Sequence, residues 1–222
     1  MQTLSTIEIN PATPSIGTII LLHGLGADGN DFVPIVSEIN ALTKLPLRFV
    51  FPNAPHRAVT INNGYVMPAW YDITSATIQE RGDHAGIMES VKQLKQIIEH
   101  EKTLGTPDNK IVLAGFSQGA VVALTTGLHY DKTLAGILAI SGYLPFSETQ
   151  LPDISAANRN TPIFIGHGTQ DPIVPLAAGT AAFELVKKLG YNVTMHKYQM
   201  AHSVCEQEVV DIGAWLTAIF HH

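Results

Sequence analysis

Short apolar or β-branched runs alternate along the whole chain with longer stretches of helical period. Runs at residues 4–9, 18–22, 47–51, 110–116, 136–141, 162–166 and 192–198 read as strands. Several are apolar on both faces, as strands buried inside a parallel sheet are. Between them, residues 30–42, 83–104, 118–130, 176–189 and 203–220 read as helices. In the best of these Ile87, Val91, Leu94 and Ile98 recur at three to four residues, and Gly105 and Pro107 end it. Such alternation predicts an α/β fold: a mostly parallel central sheet with helices on both faces and ligands at the carboxyl ends of its strands.

With 222 residues and no repeat, low-complexity tract or linker, residues 1–222 read as a single domain. Hydrophobic residues make up 45% and charged residues 14%, which excludes a disordered chain. A net charge of −6 without a Lys/Arg cluster argues against nucleic acid as a partner. The single cysteine, Cys205, excludes an internal disulfide framework and reads as a packed small hydrophobe. The start, MQTLSTIEINPATP, is not a signal peptide, and no apolar run approaches the length of a membrane span. The expectation is a cytoplasmic protein without stable membrane insertion. Among ten histidines there is no H-E-x-x-H and no helical His pair, so no metal site is expected.

One stretch departs from the alternation. Pro52 to Gly82 has no sustained period and holds Tyr65, Trp70 and Tyr71; it reads as a folded-over loop with a short strand near residues 59–61.

After the run 110–116 comes Gly115-Phe116-Ser117-Gln118-Gly119, a G-x-S-x-G motif between a strand and a helix. About 0.06 such matches are expected by chance in a chain of this composition. The motif places a serine on a sharp turn whose flanking positions must be small, with the next helix pointing its amides at the site. A serine hydroxyl needs a base. In this architecture an acid and a histidine follow the serine, each after a later strand. Asp171 lies in the loop after the run 162–166, and His202 follows the run 192–198. Ser117, Asp171 and His202 are therefore the candidate nucleophile, orienting acid and base. Asp153 and Asp211 are competing acids; the first precedes its strand and the second lies within a helix. His23 and His167, each before a glycine at a strand end, read as structural hydrogen-bonders.

The run 18–22 ends in Gly24-Leu25-Gly26-Ala27-Asp28-Gly29. This is G-x-G-x-x-G, the dinucleotide fingerprint, and it sets up a rival reading as an NADP-binding oxidoreductase with Arg48 on a 2′-phosphate. Against it, no acidic residue lies between Glu38 and Asp72. The other use of such a loop is an oxyanion hole, with the Leu25 and Gln118 backbone amides as donors and no cofactor.

With these segments in place the chain resembles the acyl-protein thioesterase and small carboxylesterase (phospholipase/carboxylesterase) family of α/β-hydrolases. The likeness rests on Leu22-His23-Gly24-Leu25-Gly26-Ala27-Asp28-Gly29, Phe51-Pro52-Asn53-Ala54-Pro55, Val59-Thr60 with Gly64, and Met67 with Trp70-Tyr71-Asp72. It continues through the Ser117 motif, Ser141-Gly142-Tyr143-Leu144-Pro145, His167-Gly168 with Asp171 and Val174-Pro175, and His202. The resemblance implies a hydrolase without a separate cap domain, acting on short- to medium-chain acyl esters or thioesters. It also implies that the Pro52–Gly82 loop and Trp70 line the acyl groove; Leu25, Met67, Ile73 and Val174 are expected beside them. Eukaryotic thioesterases of this family carry a palmitoylated cysteine near the N-terminus. The start Met1-Gln2-Thr3 has none, which argues against protein depalmitoylation and membrane attachment and favours a carboxylesterase, with an acyl-protein thioesterase or lysophospholipase as the alternative. The apolar composition permits a homodimer, and the partner expected beside the acyl substrate is at most a membrane surface in peripheral contact.

Overall fold

A computed structural model describes residues 4–78, 83–147, 150–151 and 154–221. The start Met1-Gln2-Thr3, Gly82, the competing acid Asp153 and His222 lie outside these residues. Seven strands form one sheet: β1 (Thr6–Ile9), β2 (Gly17–Leu22), β3 (Leu47–Pro52), β6 (Ile111–Phe116), β7 (Gly136–Ile140), β8 (Ile163–Gly168) and β9 (Val193–Tyr198). Their order is β1-β3-β2-β6-β7-β8-β9. Only the edge strand β1 runs antiparallel to its neighbour; every other pairing is parallel.

Side-chain alternation divides the core between the two faces of the sheet. Ile20 and Leu22 of β2 and Leu113 of β6 face α2 (His84–Thr103), α3 (Gln118–His129) and α4 (Leu176–Lys188). Their neighbours Ile19, Leu21, Val112 and Ala114 face α1 (Ile35–Thr43) and α5 (Glu206–Phe220). This is the two-faced burial that the apolar runs predict.

Three boundaries differ from the sequence reading. The first helix begins at Ile35, because the residues after Asn30 form successive turns before Pro34. The last helix begins at Glu206, so His202 sits on a loop rather than at a helix start. Within 52–82, the expected strand near 59–61 is a hairpin of β4 (His56–Val59) and β5 (Tyr65–Pro68), with a 3-10 turn at Thr60–Asn62. Its strands have four residues each and no clear apolar face, so periodicity does not reveal them.

The sheet order positions the site. From β2 the chain moves outward to β3 on one side and later returns to β6 on the other. Strand order thus reverses between β2 and β6, and crevices at such switch points are where open α/β sheets bind ligands. The segments leaving these two strands carry Gly24–Gly29 and Ser117.

Candidate active site

Ser117 joins β6 to α3 with φ 53° and ψ −115°, in the left-handed half of backbone space. Such a conformation typically costs about 1–3 kcal/mol and persists only when the surroundings enforce it. They do so here by close approach. A Cβ on Gly115 would fall 2.3 Å from the Gly119 carbonyl, and one on Gly119 would fall 2.3 Å from the Leu22 oxygen. The Ser117 amide donates to the Ile140 carbonyl at 2.8 Å, which fixes the turn to β7.

The Ser117 hydroxyl lies 2.9 Å from His202 Nε2. On the other side of the ring, His202 Nδ1 lies 2.6 Å from Asp171 Oδ2. The Asp171 carboxylate is fully buried; its Oδ1 accepts the Ile173 and Val174 amides, each at 2.8 Å. Backbone bonds tie the Asp171 loop to the His202 loop: the Thr169 amide donates to Tyr198 O and the Gln170 amide to Met200 O. The Phe116 ring flanks the His202 ring at 4.8 Å between centroids. The structure thus brings together the three residues singled out in the sequence. The competing acid Asp211 is engaged elsewhere, with Tyr198 and Gln207.

The glycine-rich loop lies beside the serine: a Cβ on Gly24 would stand 3.6 Å from Ser117 Cβ. His23 pins this loop. Its Nε2 accepts the Ala54 amide at 3.0 Å, so Nδ1 carries the hydrogen and donates to the Gly24 carbonyl at 2.7 Å. Burial holds the His23 imidazole below its usual pKa and keeps it neutral. The Gly26 amide donates to Pro68 O. Among the described residues neither the Leu25 amide nor the Gln118 amide, the first of α3, has an acceptor. Two such amides beside a serine can hold a developing oxyanion.

Sequence reasoning missed the Gln118 side chain. Its Oε1 accepts the Trp70 amide at 2.8 Å and its Nε2 donates to Tyr71 O at 2.7 Å. The Ser90 hydroxyl donates to Trp70 O, and Trp70 Nε1 donates to His23 O at 2.9 Å. The non-periodic segment is thereby clamped against the serine turn and the glycine-rich loop. A glutamine after a nucleophile carries no local signal of such long-range bonds.

Two expected groove residues are buried. Trp70 is 1% exposed and Val174 2%, and both belong to the core between the sheet and α2–α4. The Trp70 indole is bonded to His23 at the head of the glycine-rich loop, and Val174 lies in the Asp171 turn. Leu25, Met67 and Ile73 are half-buried, and the Met67 sulfur sits beside Gly26. Ile173, next to Val174, is 53% exposed.

The dinucleotide reading also fails. No helix opens at Gly29; α1 starts six residues later. Arg48 lies near the amino end of β3, at the opposite edge of the sheet, and is engaged by Glu8 and the buried Glu101. It is not available for a phosphate.

Fold and site together define a serine hydrolase of the α/β-hydrolase type. Residues 5–220 match the family model described as Phospholipase/Carboxylesterase. The chain is 36% identical over 221 residues to acyl-protein thioesterase 1 of Yarrowia lipolytica, covering 97% of each chain. It is 40% identical to acyl-protein thioesterase 1 of Schizosaccharomyces pombe over 179 residues, 81% of this chain and 79% of that one. The crystal structure of Arabidopsis thaliana SOBER1 superposes with a TM-score of 0.87 at 32% identity, over 91% of this chain and 98% of that one. The chain belongs to the phospholipase/carboxylesterase family. Among the described residues no helix is long and apolar enough to cross a membrane.

Proposed function

We propose that this chain hydrolyses short- to medium-chain acyl esters through a covalent acyl-enzyme. The observation that carries the reading is the continuous chain Ser117 Oγ–His202–Asp171 at 2.9 and 2.6 Å, on a serine held at positive φ. His202 Nε2 takes the serine proton as Oγ bonds to the acyl carbon. The carbonyl electrons move onto oxygen, which the Leu25 and Gln118 amides receive. Donors of this kind each contribute roughly 3–4 kcal/mol to the transition state. Collapse of the intermediate breaks the bond to the leaving group, which takes the proton from His202. Water then adds to the acyl carbon by the same route, releases the acid and restores Ser117. Asp171 keeps Nδ1 protonated throughout and stabilises the imidazolium. Half-buried Leu25, Met67 and Ile73, with exposed Ile173, supply apolar contact for the acyl chain.

Thioesters are a second substrate class, favoured by the acyl-protein thioesterase 1 relatives in Yarrowia lipolytica and Schizosaccharomyces pombe. The same machinery serves them, since a thiolate is a better leaving group than an alkoxide. The test is a series of matched oxyesters and thioesters, from acetyl to palmitoyl, with Ser117→Ala beside the native protein. The reading expects hydrolysis of both classes by the native chain, a fall towards palmitoyl, and loss of both in the variant. Turnover that survives Ser117→Ala would overturn the nucleophile, and a palmitoyl optimum would overturn the substrate range.

A further inference from the structure

We propose that His167 is a positioning residue for the reaction: it holds the turn that presents Asp171 to His202, and it does so in one tautomer. This rests on the reading of Ser117, His202 and Asp171 given above. His167 is the penultimate residue of β8, and its side chain is fully buried. Its Nε2 lies 2.8 Å from the Val174 carbonyl. A carbonyl only accepts, so Nε2 carries the hydrogen. The same nitrogen is 3.7 Å from Asp171 Oδ2, the oxygen that meets His202 Nδ1. Val174 is therefore held at both ends of one residue, its carbonyl by His167 and its amide by Asp171 Oδ1. Pro172 and Pro175 flank this short turn and have no N–H to donate, so few backbone bonds are available to fix it.

The other ring nitrogen supplies the second argument. His167 Nδ1 is buried and has no hydrogen-bond partner among the described residues. It faces α4 at Gly179, where a Cβ would come within 2.3 Å. An orphaned buried acceptor is unfavourable, and an apolar ring of similar size would avoid it. Space filling alone therefore does not account for an imidazole here. What the imidazole adds is the Nε2 hydrogen, donated to the Val174 carbonyl of the turn that carries Asp171.

The discriminating pair is His167→Gln and His167→Asn. A glutamine amide reaches the place of Nε2, whereas an asparagine amide reaches only that of Nδ1. Steady-state ester hydrolysis and thermal melts are measured for both, with Ser117→Ala and Asp171→Ala as references. His167→Asn should lower kcat about 10–100-fold with KM nearly unchanged, the scale of a misplaced catalytic group. His167→Gln should recover most of that loss at a similar Tm. Equal kcat in the two variants would overturn the proposal and assign His167 to packing. If Ser117→Ala remains active, the underlying reading falls instead, whatever the residue 167 variants do. Nitrogen NMR of the native protein is a test that needs no variant. It should report the hydrogen on His167 Nε2, and the Nδ1–H tautomer would overturn the proposal.

Discussion

Asp171→Asn is the substitution whose outcome the geometry constrains most tightly. Asp171 Oδ1 accepts two backbone amides at 2.8 Å, from Ile173 and Val174, while Oδ2 faces His202 Nδ1 at 2.6 Å. An asparagine must keep its oxygen where Oδ1 stands. Inverting the amide would set its NH2 against two N–H groups and forfeit both bonds, each worth about 1 kcal/mol or more. The NH2 therefore points at His202 Nδ1, which must become an acceptor. The ring hydrogen moves to Nε2, 2.9 Å from Ser117 Oγ, and the lone pair that takes the serine proton is gone. Loss of the correct tautomer in a triad of this type lowers kcat about 10⁴-fold. At 1.36 kcal/mol per decade that is about 5.5 kcal/mol of barrier. Stability should move less, because the two backbone bonds survive with a neutral acceptor; a loss of about 1–2 kcal/mol corresponds to only a few degrees in a chain of this size. Saturating ester hydrolysis and a thermal melt measure the two quantities separately. A variant with kcat within tenfold of native and an unchanged Tm would refute the tautomer argument and the role of Asp171 with it.

Three further outcomes follow from the packing. Trp70→Ala should cost about 3–5 kcal/mol of stability, as expected for a fully buried indole, and leave acyl chain-length preference unchanged in whatever folded protein remains. A shifted preference at native-like Tm would return Trp70 to the groove. Gly119→Ala should abolish activity or soluble expression, because its Cβ would overlap the Leu22 carbonyl within the sheet; full activity would show that the turn is not rigid. Glu208, buried in the first turn of α5, has its carboxyl pushed up to about 8, chiefly by burial and further by Asp211. A raised carboxyl pKa favours the folded state while the group stays protonated, so this contribution is present at low pH and lost as pH rises to about 8. Glu208→Gln should therefore gain on the native protein by up to about 1.4 kcal/mol per pH unit above the ordinary carboxylate range, levelling off beyond pH 8. Parallel melts across pH test this, and a constant difference in Tm would contradict it.

Much of the site is legible in the chain because each of its parts follows a strand with a distinct apolar signature. The runs ending at Leu22, Phe116 and Gly166, and that ending at Tyr198, locate the glycine-rich loop, Ser117, Asp171 and His202 along one edge of the sheet. What stays hidden depends on distant partners. The Gln118 side chain meets Trp70 and Tyr71 across 47 or 48 residues of sequence, and His23 meets Ala54 across 31. Composition alone cannot place Trp70, since an indole serves a core and an acyl groove equally well. The hairpin at His56–Pro68 escapes for a different reason: short, partly exposed strands carry too few apolar positions to show a period. Glu208 looks like an ordinary first-turn helix acid until Gly166 is found pressed against it.

The central claim is that Ser117 is an activated nucleophile, and a covalent probe tests it most directly. The native chain and Ser117→Ala would each be incubated with a fluorophosphonate and their intact masses recorded. The account predicts one adduct on the native chain, located at Ser117, and none on the variant. An unmodified native chain, or an adduct that persists in Ser117→Ala, would contradict it.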